Sequence, residues 1–531
     1  MVSSIIRKTG LLLSAPPFNF KHILNVNEMK TSYQYIIPLL LAGYFLFVSC
    51  NKGILEQNPP DAVTTGTFWK SASDADYALT GLYNFLYDNG GGYATSQFQV
   101  FAWDNFSDDS YGQYNYGGGL TATTAGILPA TGDLTGSYVG SYYANCYSSI
   151  AADNSFLANV GKVLSGTALT QYRGEALFLR GFNYFWLAQL YGNVPIVTAD
   201  PFTTDYSTKM AKSPRADVLK RASDDLDSAI AYLPDVAFTK GHVTKSTAEG
   251  YKVRLLLFEQ KYAEAAALAQ QIISSNMYSL NTNYAANFYK PDQKTSPEIM
   301  FSVQYQLPNA QHQDVAFAVS LQYWKGELAT QDLVDEYEPG DPRKTMTLFF
   351  PGDGAAQGWP FTNNNGVATP GSDSWIVGYY AVKKWLTPGI ANPNYGTLDD
   401  NDIVLLRYAD IKLMYAEAQN EAAGPDASVY QQVNDVRARP GVSMPGLPAG
   451  LTQDQMRQKI RHERRVEFAL EGLRYFDLRR WGIATQKLNG FHPNPVTPAV
   501  TYVYKDNYQF WPIPQTEIDR NKPTLVQNDG Y

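Results

Sequence analysis

Cysteine is almost missing from this chain: Cys50 and Cys146 are the only two in 531 residues. A disulfide framework and a cysteine metal cluster are both excluded on that count. Histidine is nearly as scarce. His22, His242, His312, His462 and His492 are scattered, with no His-x-x-x-His or Cys-His spacing to suggest a metal or a nucleophile relay. Each reads as an ordinary surface or capping residue. Serine nucleophile elbows and phosphate-cradling glycine loops are absent too, so no cofactor is called for. Positive charge is never clustered and the net charge is −8, which argues against nucleic acid as a partner. Near the chain start, the apolar run Ile36–Val48 has 13 residues, well short of the roughly 20 a membrane-spanning helix needs.

That run fits another purpose. Thirteen apolar residues near a chain start, preceded by Lys30 and ended by Ser49-Cys50, read as the h-region of a signal peptide with a lipoprotein cleavage site. Small Ser49 lets a signal peptidase approach, and the Cys50 thiol takes the diacylglyceryl group, although Phe47 and Val48 depart from the commonest Leu-Ala-Gly-Cys box. Met29 reads as the true start, which makes 1–28 an over-extended N-terminus, 29–49 the signal peptide and 50–531 the mature chain. Two or more acyl chains would anchor that chain to a membrane without any spanning helix.

Aromatic residues are what the sequence has in excess: 14%, with 38 Tyr and 9 Trp, against only 17% charged residues. Such rings pair a flat apolar face with a polar edge, which suits stacking platforms as well as a core. Helical periodicity dominates the rest. Helices are expected at Ser73–Tyr87, Tyr142–Val163, Tyr172–Tyr191, Asp217–Leu233, Leu406–Gly424, Ser428–Arg439 and Thr452–Glu471. Thr247–Ser275 carries two stripes, Ala248/Tyr251/Leu255/Leu256 and Tyr262/Ala265/Ala266/Ala269/Ile273, broken at Gln260-Lys261. Small alanines on facing stripes match the paired helices of tetratricopeptide repeats. A helix-pair scaffold over about 70–280 and 404–482 is therefore expected, interrupted by irregular insertions at about 88–141 and 281–403 and followed by a tail at 483–531. Ile299–Tyr305 reads as a strand. The fold class is mostly α within a single domain.

Several strings resemble the SusD/RagB family of outer-membrane lipoproteins. They are the Tyr172–Pro195 stretch with its Tyr191-Gly-Asn-Val-Pro195 ending, Arg407-Tyr-Ala-Asp410 with Tyr415-Ala-Glu-Ala418, and Glu463-Arg-Arg-Val-Glu467 with Glu471–Trp481. Trp511-Pro-Ile-Pro514, Gln527-Asn528 and Leu55-Glu56 with Pro59 also fit, in the family's order along nearly all of the mature chain. The resemblance implies about four tetratricopeptide-like helix pairs with a more irregular half carrying the ligand contacts. It also implies a cell-surface protein that captures glycans, or in some members peptides, and delivers them to a SusC/RagA-like TonB-dependent transporter.

Two regions carry candidate chemistry. Glu463, Glu467 and Glu471 line one helical face at i, i+4 spacing, and paired carboxylates can hydrolyse glycosidic bonds. The arginines among them lower carboxylate pKa values and remove the proton a general acid needs, so an ion-pair network is expected there, and no catalytic residue is assigned. The ligand case rests on Trp103, Asp104, Asn105, Asp108, Asp109, Tyr111, Tyr114 and Tyr116 in a Gly-rich segment, with Tyr323-Trp324 as a second group and the Trp359–Trp375 stretch beside it. Rings and hydrogen-bonding groups interleaved in this way suit a sugar-binding surface; the alternative is that Trp103 and the tyrosines fold inward. Asp104, Asp108 and Asp109 offer hard oxygens for Ca²⁺ but lack an ordered 12-residue loop, so no metal site is assigned. Oligosaccharide capture is the leading expectation, oligopeptide capture the alternative, and a surface glycosidase the third.

Overall fold

In a computed structural model, the described residues are 68–87, 103–112, 138–203, 208–239, 241–312, 327–350, 380–388, 397–493 and 501–531. The chain divides into two units, Met1–Phe68 and Trp69–Tyr531, and every helix and strand named below belongs to the second. Cys50, Tyr114, Tyr116, Tyr323, Trp324 and the 359–375 stretch lie outside the described residues.

The scaffold begins with α1 (Ala72–Tyr83), α2 (Tyr138–Asn159), α3 (Gly166–Leu190), α4 (Arg215–Tyr232), α5 (Lys245–Phe258) and α6 (Tyr262–Ser274). Each packs on the next from α2 onward. In α1, Ala75, Leu79 and Leu82 form the buried stripe, and the start is fixed by Asp74, whose carboxylate accepts the Ser71 amide at 2.7 Å. Glycine sets the spacing of α3 on α4. A Cβ at Gly174 would lie 3.0 Å from Tyr232 Cβ, and one at Gly181 would lie 3.1 Å from the Ala222 carbonyl oxygen. The two glycines are seven residues apart, two helical turns, so they bring one face of α3 close to its neighbour.

The α5–α6 hairpin forms at the expected break, with Gln260 at φ 60° making the turn. Ala248, Tyr251, Leu255 and Leu256 are buried on one arm, and Ala265, Ala266 and Ala269 on the other. The C-terminal block holds two short helices, α7 (Gln331–Glu336) and α8 (Arg343–Thr347), then α9 (Tyr408–Ala423), α10 (Ala427–Ala438), α11 (Gln453–Glu467), α12 (Arg474–Arg480), α13 (Ala484–Leu488) and α14 (Gln515–Arg520). Helix α9 packs on α6, α10 and α11, which joins the two helical blocks.

Two small antiparallel sheets sit between these blocks. One has the order β1 (Ser110–Gly112), β3 (Glu327–Ala329), β5 (Ala381–Val382), β4 (Leu348–Phe349). The other pairs β2 (Ile299–Val303) with β6 (Ile403–Arg407). Strand β6 runs straight into α9, and the Tyr408 amide bonds the Glu298 carbonyl at 2.8 Å. This places Glu298 beside Arg407.

Two expected helix ends are corrected. Helix α3 starts at Gly166, ahead of the Tyr172 that its apolar stripe suggests. The helix expected over Thr452–Glu471 stops at Glu467, because Leu470 (φ 63°) and Gly472 (φ 75°) turn the chain before α12. The tail is irregular but firmly docked. Trp511 donates its amide to the Leu190 carbonyl at 2.6 Å, and the Asn528 side chain donates to the carbonyls of Tyr191 and Trp511 at 2.8 Å each. The carbonyls at the end of α3 are thereby met by the C-terminus.

Candidate functional site

The segment from Trp103 to Tyr111 is part of the core. Trp103 is 3% exposed, Asp104 and Asp109 are fully buried, and Asn105, Asp108 and Tyr111 are buried with them. The Trp103 indole lies 4.6 Å from the Tyr142 ring and 5.5 Å from Trp186, centroid to centroid, with Tyr475 and Trp511 around it. Each carboxylate has a partner on one oxygen at least, while Asp104 Oδ1 and Asp109 Oδ2 make no hydrogen bond to the described residues. Arg474 forks onto Asp108 at 2.7 and 2.8 Å, Arg465 Nε donates to Asp109 at 2.8 Å, and the Gly472 amide donates to Asp104 at 2.8 Å. Burial alone would raise the Asp108 pKa, but Arg465 and Arg474 hold it well below the ordinary range. Burial raises Asp109 to about 6 and pushes Asp104 far up, with the Asp109 charge adding to it.

These six residues therefore present no face to a sugar in this conformation. Guanidinium groups engage Asp108 and Asp109, while Asp104 accepts a backbone amide. Among the described residues no group of three or more His, Cys, Asp or Glu side chains is arranged to hold a metal.

The three glutamates form a latch. Glu467 accepts from Arg407 at 2.6 Å and Arg343 at 2.8 Å, and also pairs with Arg439. Glu463 accepts from Arg343 at 2.6 Å and Arg437 at 2.8 Å, and Glu471 from both Arg407 and Lys384. Glu298 completes the set through Arg407 at 2.7 Å and Arg439 at 3.1 Å. Burial opposes ionisation of Glu467, yet the three arginines hold its pKa far below the usual range. A carboxylate so held has no proton to give, so the expected ion-pair network is present and it joins α8, β6, α10 and α11. Lys384 also caps the carbonyls of Glu467 and Ala469 at 3.2 and 2.9 Å, which ends α11. One histidine departs from expectation: His312 is buried, stacked 3.8 Å from Tyr305, and burial lowers its pKa to about 4.

The open surface lies elsewhere. A cleft of 670 Å³ runs between α1 and the end of β2, within the range that holds small ligands. Tyr77, Thr80 and Gly81 line one wall, at i, i+3 and i+4 on the face of α1 opposite its core stripe, and Asn84, the C-cap of the helix, extends it. Tyr77 is 70% exposed. Gln304 and Asn309 stand across from them, and Asn84, Gln304 and Asn309 are all exposed. The floor is rigid. Tyr83 Oη donates to buried Glu175 at 2.7 Å and accepts the Val243 amide at 2.9 Å, while His242 Nδ1 meets the same Glu175 oxygen at 2.7 Å. That bond to Glu175, with its charge, raises the half-buried imidazole's pKa against a smaller opposing effect of burial. Tyr87 stacks on Tyr305 at 4.4 Å to close one end.

A second cleft of 360 Å³ adjoins, sharing Ser302, Gln304 and Ala310. In it Lys290 is tied to Asp402 at 2.8 Å, and Lys294 is exposed. A third hollow, between α3 and α12, holds only 60 Å³, too little for a sugar ring.

The described residues thus combine a helix-pair scaffold with a ring-lined, amide-rich cleft. Comparisons with known proteins give the family. The model described as "SusD family" matches residues 262–531, and that described as "Starch-binding associating with outer membrane" matches residues 61–257. The chain belongs to the SusD family. SusD-like protein P2 of Formosa agariphila is 24% identical, over 95% of this chain and 100% of its own length. A crystal structure of a SusD-like carbohydrate binding protein from Bacteroides fragilis superposes with a TM-score of 0.73 at 24% identity, covering 87% of this chain and 100% of that one. A laminarin binding SusD-like protein gives 0.68 at 23% identity, covering 87% and 100%. The fold is thus the mostly helical SusD-like fold that the motifs implied. No described helix is long and apolar enough to cross a membrane.

Proposed function

We propose that this protein binds oligosaccharide in the Tyr77–Gln304 cleft and passes it to a TonB-dependent outer-membrane transporter. One observation carries the reading. A tyrosine face 70% open to solvent stands beside amides that make no hydrogen bond to the described residues, in an open cleft of about 670 Å³. Tyrosine packs on sugar C–H faces, and each amide offers donors and an acceptor for hydroxyls. Family membership and the carbohydrate-binding and laminarin-binding relatives support the ligand class. The lipoprotein box at Cys50 supports attachment to the outer membrane by acyl chains, in line with the family description. In this reading Tyr114, Tyr116, Tyr323 and Trp324 remain ligand-side candidates, Trp103–Tyr111 is scaffold, and hydrolysis has no residue to perform it among the latch glutamates.

The test is calorimetric titration of the purified protein with laminarin, maltoheptaose and xylo-oligosaccharides, with polygalacturonate, alginate and oligopeptides alongside. Saturable glycan heat that is lost in Tyr77→Ala, without reducing-sugar release, is the expected result. Heat with peptides alone would move the ligand class to oligopeptides. Glycan binding untouched by Tyr77→Ala would overturn the assignment of this cleft.

A further inference from the structure

We infer that Gly81 is the floor of a ring subsite, a bare patch of helix backbone on which one uncharged pyranose ring of the glycan lies flat; this rests on the cleft being the glycan site. Glycine inside a helix weakens it relative to alanine, so a glycine in α1 asks for a reason. Conformation does not supply one, because Gly81 is absent from the glycines with positive φ. Packing does not either. A Cβ built there meets no described atom within 4 Å, whereas one at Gly250 would strike Leu406 at 2.5 Å and one at Gly181 would lie 3.1 Å from a backbone oxygen. The residue is exposed, and the space in front of it is the cleft.

The neighbours make that space chemically suitable. Tyr77 stands one turn before on the same helix face with Thr80 beside it, and Asn84 follows three residues on as the C-cap of the helix. A missing side chain between a ring and an amide leaves a notch about one residue wide. A flat ring set into it would meet backbone below, the Tyr77 face at one edge and the Asn84 amide at the other. The Thr80 hydroxyl already donates to the Asp76 carbonyl at 2.9 Å, which leaves its oxygen as an acceptor for a sugar hydroxyl. The described lining holds no carboxylate, and its one titratable cation, His242, is engaged by Glu175. An uncharged ring is therefore the class that fits.

The test adds two variants, Gly81→Ala and Gly81→Leu, to the parent and Tyr77→Ala in the same titrations. A Cβ at Gly81 meets no described atom within 4 Å, so Gly81→Ala is expected to melt at or above the parent's temperature, and the melting temperature of Gly81→Leu is read alongside its affinity. Affinity for the neutral glycan bound by the parent should fall several-fold in Gly81→Ala, and about tenfold or more in Gly81→Leu, one extra methylene group or more in a ring contact being worth roughly that much. Parent-like affinity in both, while Tyr77→Ala loses binding, would overturn the subsite and leave the cleft standing. Saturable binding of polygalacturonate or alginate alone would overturn the uncharged class. Absence of glycan binding by the parent would remove both readings together.

Discussion

Two regions of this molecule have nearly the same ingredients and opposite fates. Around Trp103, aromatic rings and side-chain oxygens sit beside Arg465 and Arg474, and the whole cluster is sealed. Around Tyr77, rings and amides face solvent, and the charged partners are confined to the floor, where Glu175 holds Tyr83 and His242. The difference lies in what stands opposite. A carboxylate draws a guanidinium and the pair can be buried together, whereas a neutral amide draws nothing strongly enough to close a cleft. Charge builds the scaffold here, and uncharged polarity is left over for recognition.

The sharpest way to break that contrast is to strike the scaffold. Glu467→Ala leaves Arg343, Arg407 and Arg439 facing one another in the interior, and should destabilise the protein by about 3–5 kcal/mol, read by denaturant unfolding. Trp103→Ala should lose a similar amount, about 3–5 kcal/mol, through its cavity. If Trp103→Ala instead melted like the parent and lost only glycan binding, the two regions would have to exchange roles.

Acid should act on the scaffold first. Asp410 is buried, which raises its pKa, but Arg254 and Arg464 outweigh that and hold it at about 2. A depressed carboxylate stabilises the fold above its ordinary pKa, and that contribution is lost as pH falls toward the folded value. The melting temperature should therefore drop between about pH 4 and pH 2. Asp153 has the opposite sign. Its carboxylate is buried on α2 with neither oxygen hydrogen-bonded, and burial raises its pKa well above the ordinary value. Its favourable state is the protonated one, and the penalty appears as pH rises past the ordinary range. Asp153→Asn should raise stability at pH 7 by about 1–3 kcal/mol and lose that advantage below about pH 4, as thermal melts across pH would report.

On the cleft side the effects on stability are small. Tyr77→Ala should leave stability within about 0.5 kcal/mol while weakening glycan binding by roughly 1 kcal/mol or more. His242→Gln should be milder still. The Glu175 contact favours imidazolium, so its contribution is full below about pH 6.5 and fades as pH rises. Half exposure limits it to about 0.5 kcal/mol, visible as a slightly flatter melting profile between pH 6 and 8.

Much of the helical scaffold was legible because burial on one face repeats with helical period. The α5–α6 hairpin formed with its facing alanines buried, although Ile272 rather than Ile273 is the buried isoleucine and α5 is buried on nearly every side. The end of α11 was not legible: nothing about leucine announces a left-handed Leu470, and the turn is held by Lys384 and Trp385 from more than 80 positions away. Distance in sequence also explains the site. Asp109 is buried because of Arg465, 356 positions later, so residues 103–111 looked open when read locally. The face Tyr77, Thr80, Gly81 was present as the polar side of an amphipathic helix, with Asn84 at its end. Its opposite wall comes from Gln304 and Asn309, and only folding brings the two together.

The clasp between the end of α3 and the 511–528 segment is a tether of long reach. Tyr191 is joined to Asn528, 337 positions downstream, and Leu190 to Trp511. Carbonyls that would otherwise face solvent at the end of the longest described helix are held by a segment with little regular structure of its own, so fraying of that helix end and release of the segment are one event rather than two.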